Sequence, residues 1–147
     1  MKNKTIPLYL VIILSIFMLF SCSKTSDVDV LKQRINELIA HIEKRNEQGI
    51  KDYLSNDFSA SQRFNKAQFF LFARHHFKRN KSISVTVLDK KITHYENYAD
   101  VVANVLLLGS NEWLPERGQT YTVTSRWKKE KGDWVMSRLR WEKELKN

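Results

Sequence analysis

Apolar positions along the chain fall into three regimes: an unbroken run at the start, three- and four-residue spacing in the middle, and alternation from Ile83 onward. The first regime is Ile6 to Phe20, preceded by Lys2 and Lys4 and closed by Ser21 and Cys22. A positive start, an apolar middle and a small residue before a cleavage point form an export signal. Crossing a bilayer takes roughly 20 apolar residues at about 1.5 Å each. This run, interrupted by Pro7 and Ser15, is too short for a permanent transmembrane helix.

The second regime predicts three helices. Ser26, followed by Asp29 three positions later, starts the first as a capping box, after a polar tether from Ser23. Leu31, Ile35, Leu38, Ile39 and Ile42 then share one stripe, opposite Lys32, Arg34, Glu37, Glu43 and Lys44, which is the pattern of a surface helix packed on a core. That helix is expected to end between Asn46 and Gly49. Ile50, Tyr53 and Leu54 suggest a short second helix, with Leu54 to Phe58 as its exit into a turn. The third has the clearest start: Asn65 as cap, Gln68 at the third helical position and Phe64 placed to staple against Phe69. Phe69, Phe70, Phe72, Ala73 and Phe77 form its apolar face, and Arg74, Lys78 and Arg79 crowd the end where the dipole favours cations.

The third regime predicts about four long strands. Ile83, Val85 and Val87 alternate with Ser84 and Thr86, weakening toward Ile92 to Tyr95, and Glu96-Asn97 makes a hairpin turn. Ala99 to Leu108 is nearly continuous in apolar residues, so that strand is covered on both faces. Gly109 to Gly118, with Trp113 and Pro115, reads as the longest loop, Gln119 to Lys128 as a strand, Lys129 to Asp133 as a turn, and Trp134 to Glu142 as the last strand. Helices first and antiparallel strands after give an α+β fold. Long antiparallel strands curl, so three helices packed on such a sheet make a cone-like domain with an interior pocket.

The 147 residues carry 25 Lys and Arg against 16 Asp and Glu, a net charge of +9. This excess is spread along the chain, and an exported protein meets no cytoplasmic nucleic acid, so a basic surface near anionic lipid head groups explains it better than nucleic-acid binding. Cys22 is the only cysteine, which leaves no disulfide and no thiolate nucleophile in the folded part. His75-His76 does not predict a metal site, because helical neighbours point about 100° apart and a site needs a partner one turn away. Neither metal nor cofactor is expected.

Leu19-Phe20-Ser21-Cys22 resembles the lipobox of bacterial lipoproteins. The resemblance implies a signal peptide over 1–21, a lipidated tether over 22–28 and a single domain over 29–147. It also implies acylation of Cys22 and anchoring in the cell envelope, with Ser23 pointing to the outer membrane, facing the periplasm. From 28 to 142 the chain resembles the nuclear transport factor two-like superfamily, with its ketosteroid isomerase-like and polyketide cyclase-like members. The carriers are Ile39-Ala40-His41-Ile42-Glu43-Lys44-Arg45 with Ile50, Leu54 and Asp57-Phe58, and Trp127-Lys128-Lys129-Glu130-Lys131-Gly132-Asp133-Trp134-Val135-Met136 in the last hairpin. That fold hosts enzymes and non-catalytic dimers alike, so it does not by itself name a function.

Two functions follow. The first is a lipid-anchored, non-catalytic binding or assembly module with a small-ligand pocket, dimerising through the outer face of the sheet. The second is an isomerase, dehydratase or cyclase acting on a small hydrophobic ligand, with His94, Asp89 or Asp100 as acid or base and Tyr121 as hydrogen-bond donor. The expected ligand-binding residues are Tyr121, Trp127, Arg138 and Arg140. The two arginines depend on register: pairing Trp127 with Trp134 aims them inward, whereas a one-residue shift sends them to solvent and puts Val135, Leu139 and Trp141 inside.

Overall fold

A computed structural model describes residues 26–61, 64–111 and 114–144. The signal and lipobox, Cys22, most of the tether, and Trp113 lie outside them. Helix α1 (Asp27–Glu43) is followed by α2 (Glu47–Lys51), strands β1 (Leu54–Ala60) and β2 (Phe64–Asn65), and α3 (Lys66–Arg79). Strands β3 (Ser82–His94), β4 (Tyr98–Asn111), β5 (Leu114–Glu130) and β6 (Asp133–Lys143) complete the chain.

The start signals act as the spacing predicts. Ser26 accepts the Asp29 backbone N–H at 3.2 Å, and Asn65 and Gln68 form a reciprocal capping box on α3. The expected staple differs, since Phe64 stacks on Phe72 at 5.4 Å, one turn beyond Phe69. Phe69 instead meets Phe58 at 5.1 Å, which ties α3 to β1.

Among the described residues the sheet has six strands, not about four, in the order β2-β1-β6-β5-β4-β3. All neighbours are antiparallel except β1 and β6. The strand missed is β1. Leu54 to Phe58 is not an exit turn; it continues past Phe58 and places Leu54 opposite Met136 and Ser59 opposite Arg138. Its sequence, Leu-Ser-Asn-Asp-Phe-Ser-Ala, is polar by composition, and only the β6 edge, made by residues far along the chain, makes it a strand. The expected loop from Gly109 is also mostly strand, because β4 continues to Asn111 and β5 begins at Leu114.

Two bulges control which side chains face inward. On β3, Val87 pairs with Val105 and Asp89 with Asn104, so Leu88 is an extra residue. On β6, Arg138 pairs with Arg126 and Met136 with Trp127, so Ser137 is extra. Each bulge reverses the alternation of its strand. Val85 and Val87 face inward before the first, Lys90 and Ile92 after it; Met136 faces inward before the second, Leu139 and Trp141 after it.

The core fills the narrow end, where Leu31, Trp127 and Trp134 are each at most 1% exposed. Arg34 fastens α1 there, donating to the Trp134 carbonyl at 3.3 Å and the Asp52 carbonyl at 3.1 Å while its guanidinium lies 4.1 Å from the Tyr53 ring centre. Asp27, at the start of α1, pairs with Lys129 at 2.7 Å beside the β5–β6 turn. At the other end, Glu43 accepts the Val85 backbone N–H at 2.9 Å, covering the edge of β3. No helix among the described residues is long and apolar enough to cross a membrane.

Candidate functional site

The inward faces of β3 to β6 and the apolar faces of α1 and α3 enclose a cavity of about 630 Å³. That volume falls within the roughly 300–1,000 Å³ of small-molecule sites. Its lining includes the buried Leu54, Val101, Trp127 and Met136 with half-buried Phe69, and also Leu107, Gly109, Gln119 and Asn80. Polar groups are few. Ser125 lies in the wall, where its Oγ accepts the Trp127 indole N–H at 3.0 Å and gives that buried donor its partner. Among the described residues, Tyr121, His76, Arg79 and Lys90 are the titratable side chains lining it. Among the described lining residues there is no Asp or Glu.

His76 packs on Phe72 with ring centres 4.5 Å apart. Desolvation against that ring, reinforced by His75 and Arg79, pulls its imidazole below the ordinary value, so it is neutral at pH 7. Arg79 is turned toward His75, with nitrogens 3.4 Å apart. Among the described residues, no group of three or more His, Cys, Asp or Glu side chains is placed to hold a metal ion.

Of the residues singled out in the sequence, Tyr121 and Trp127 line the cavity. Arg138 and Arg140 do not. The inward register is overturned: Trp127 pairs with Met136 rather than Trp134, and Arg138 and Arg140 stand opposite Arg126 and Thr124 on the outer face, both exposed. Leu139 and Trp141 take the inward places, as the shifted register expects. Neither register foresaw both halves, since the bulge lets Trp134 and Met136 face inward as well.

The candidate acids and bases are dispersed. Asp89 is turned out by the Leu88 bulge and accepts the Lys90 backbone N–H at 2.8 Å. Asp100 is held on the outer face by a bidentate pair with Arg126, at 2.7 and 2.9 Å. His94 sits at the narrow end, edge-on to Trp134 at 5.8 Å. Sequence reasoning missed Lys90, His76 and Arg79 as lining residues. Only Lys90 left a trace: inward residues are odd-numbered through Val87 and even-numbered by Ile92, so one extra residue lies between.

A helix-backed, six-stranded curved sheet with a cavity under its concave face can be compared with known folds. A candidate scytalone dehydratase from Novosphingobium aromaticivorans superposes with a TM-score of 0.74 at 13% identity, over 81% of this chain and 85% of that one. A candidate dehydratase of the NTF2-like family from Streptomyces avermitilis gives 0.73 at 13%, over 83% and 100%. An NTF2-like protein from Cytophaga hutchinsonii gives 0.70 at 15%, over 82% and 100%. The chain has the NTF2-like fold. No family profile and no curated protein sequence matches it. At such identities the likeness is one of backbone, and it names neither a ligand nor a reaction.

Proposed function

We propose that this protein is a lipid-anchored binding module of the bacterial cell envelope that holds a small, largely apolar ligand in the NTF2-like cone without converting it. The observation that carries this reading is the cavity wall: apolar on nearly every element, with no carboxylate among its described residues. General acid–base chemistry needs a proton-transfer group within reach of the ligand, usually about 3 Å; Asp89, Asp100 and His94 lie elsewhere, which leaves Tyr121 and His76 as the described lining groups of that kind.

Anchoring is through acylated Cys22, which Ser23 directs to the outer membrane. The tether then meets α1 at the narrow end, where Asp27 pairs with Lys129. The 17 residues of α1 carry the chain about 25 Å onward from that point. The outer face of β4 makes the homodimer contact: Val102 is 43% exposed there, with Leu106 further along the same face and the threonines of β5 opposite them.

The dehydratase names of two structural neighbours favour a second reading, in which Tyr121 and neutral His76 act on a ligand in the cavity. Three measurements test the first. Cys22→Ala should abolish fatty-acid labelling and leave the precursor unprocessed. An apolar fluorophore should bind and be displaced by hydrophobic ligands. Tyr121→Phe should leave that binding within about twofold. Retained labelling would sink the anchor, and turnover of any bound ligand lost in Tyr121→Phe would favour the enzyme.

A further inference from the structure

A lysine in this wall is out of keeping with everything around it. Lys90 lies on the concave side of β3, opposite Ala103 of β4, and lines the cavity with Val87, Val105, Ile39 and Ile42. It faces inward because of one inserted residue. Without the Leu88 bulge, alternation from Val85 and Val87 would aim Asp89 at the cavity and Lys90 at solvent. With it, Asp89 turns out and Leu88, an apolar side chain, is left 58% exposed. Exposing a leucine to bring a cation against an apolar wall runs against packing on both counts, and re-aiming a side chain at a site is a known use of bulges.

Lys90 is half-buried, and its ammonium has no hydrogen bond or ion pair among the described residues. The carboxylates of the helix that packs on β3 are engaged elsewhere: Glu37 accepts from Gln33 at 2.9 Å and Tyr53 at 3.1 Å, and Glu43 from the Val85 N–H. Asp89, its neighbour, takes the Lys90 backbone N–H on the outer side. A lysine set on an apolar wall without a counter-ion among the described residues is incomplete, and an anion inside the cavity would complete it. Arg79 is the weaker candidate, since it reaches His75 on the solvent side of α3.

We propose that Lys90 is a ligand-recognition residue, and that the cavity takes an amphiphile with a single apolar tail and an anionic head, of the long-chain carboxylate class. This rests on the binding reading and narrows it: the apolar wall holds the tail, and the Lys90 ammonium pairs with the carboxylate. The bare alternative is that Lys90 lays its methylenes on the wall and carries its charge out to water.

Full-length protein in phospholipid nanodiscs is titrated with laurate and with dodecanol, empty nanodiscs serving as the blank for partitioning. Trp127 and Trp141 in the wall report occupancy by fluorescence. The wild type should bind laurate at least about tenfold more tightly than dodecanol, the scale of one charge-assisted hydrogen bond. Lys90→Met should remove that preference and leave dodecanol affinity unchanged, and Lys90→Arg should restore it. Equal binding of the two ligands by the wild type, or a preference that survives Lys90→Met, overturns the role of Lys90 while the apolar site stands. Absence of binding by either ligand overturns the site and the inference together.

Discussion

Truncating Leu139 and Arg140, adjacent on β6, tests the placement of the whole last hairpin. Leu139 is half-buried, lines the cavity and pairs with Ser125. Leu→Ala in a core costs about 2–5 kcal/mol, rising with the void left behind. Here the void merges with a cavity that already exists, and the side chain is not fully enclosed, so the cost belongs at the low end, about 2 kcal/mol. For a domain of this size that is a fall in Tm of about 6–10 °C. Arg140 is exposed on the outer face, its guanidinium 3.6 Å from Glu142 with both side chains largely in water. Such pairs contribute little, so Arg140→Ala should change stability by no more than about 0.5 kcal/mol. Thermal unfolding of both variants by circular dichroism, with ligand absent, makes the comparison. An Arg140→Ala variant as unstable as Leu139→Ala, or a silent Leu139→Ala, would refute the Ser137 bulge and return the arginines to the interior.

Lys131 and Gly132 turn β5 into β6 with φ of 53° and 92°, the two positive values of a type I′ hairpin. Gly132→Ala meets no neighbour and should lose about 1–2 kcal/mol from backbone strain alone; an unchanged Tm would contradict that geometry. The pH dependence follows from depressed values. Asp57 is held below the ordinary 3.8 by Lys128 and then Ser55, and His76 below 6.5 by desolvation and then its cationic neighbours. In both cases the folded value lies under the unfolded one, so the stability is present above the unfolded value and lost as pH falls through the folded one. Urea midpoints should therefore decline first below about pH 6.5, a step that His76→Gln removes, and again below about pH 3.8. On the dimer proposal, Val102→Asp should convert the sedimenting species to a monomer at tens of micromolar; a wild type already monomeric there would end that proposal.

Local signals in this sequence are those that need only a few neighbouring residues. The Asn65 and Gln68 capping box, the apolar stripe of α1 and the alternation of Ile83, Val85 and Val87 are each complete within a few turns or one short strand, so the amino-acid order alone makes them legible. The α+β order is legible too, because helices and strands occupy largely separate parts of the chain. Tyr121 and Trp127 stand out on the same grounds, as large side chains on the inward phase of one strand. The tertiary structure decided what depends on partners far along the chain. β1 is a strand because β6 offers it an edge, and nothing in Leu54 to Ala60 announces one. The two bulges are set by pairing across strands, and each moves a charge from one face to the other: Lys90 into the cavity with Asp89 out of it, Arg138 and Arg140 to the outer face. A period of two makes every strand legible only up to its first extra residue, since one insertion exchanges all the faces beyond it.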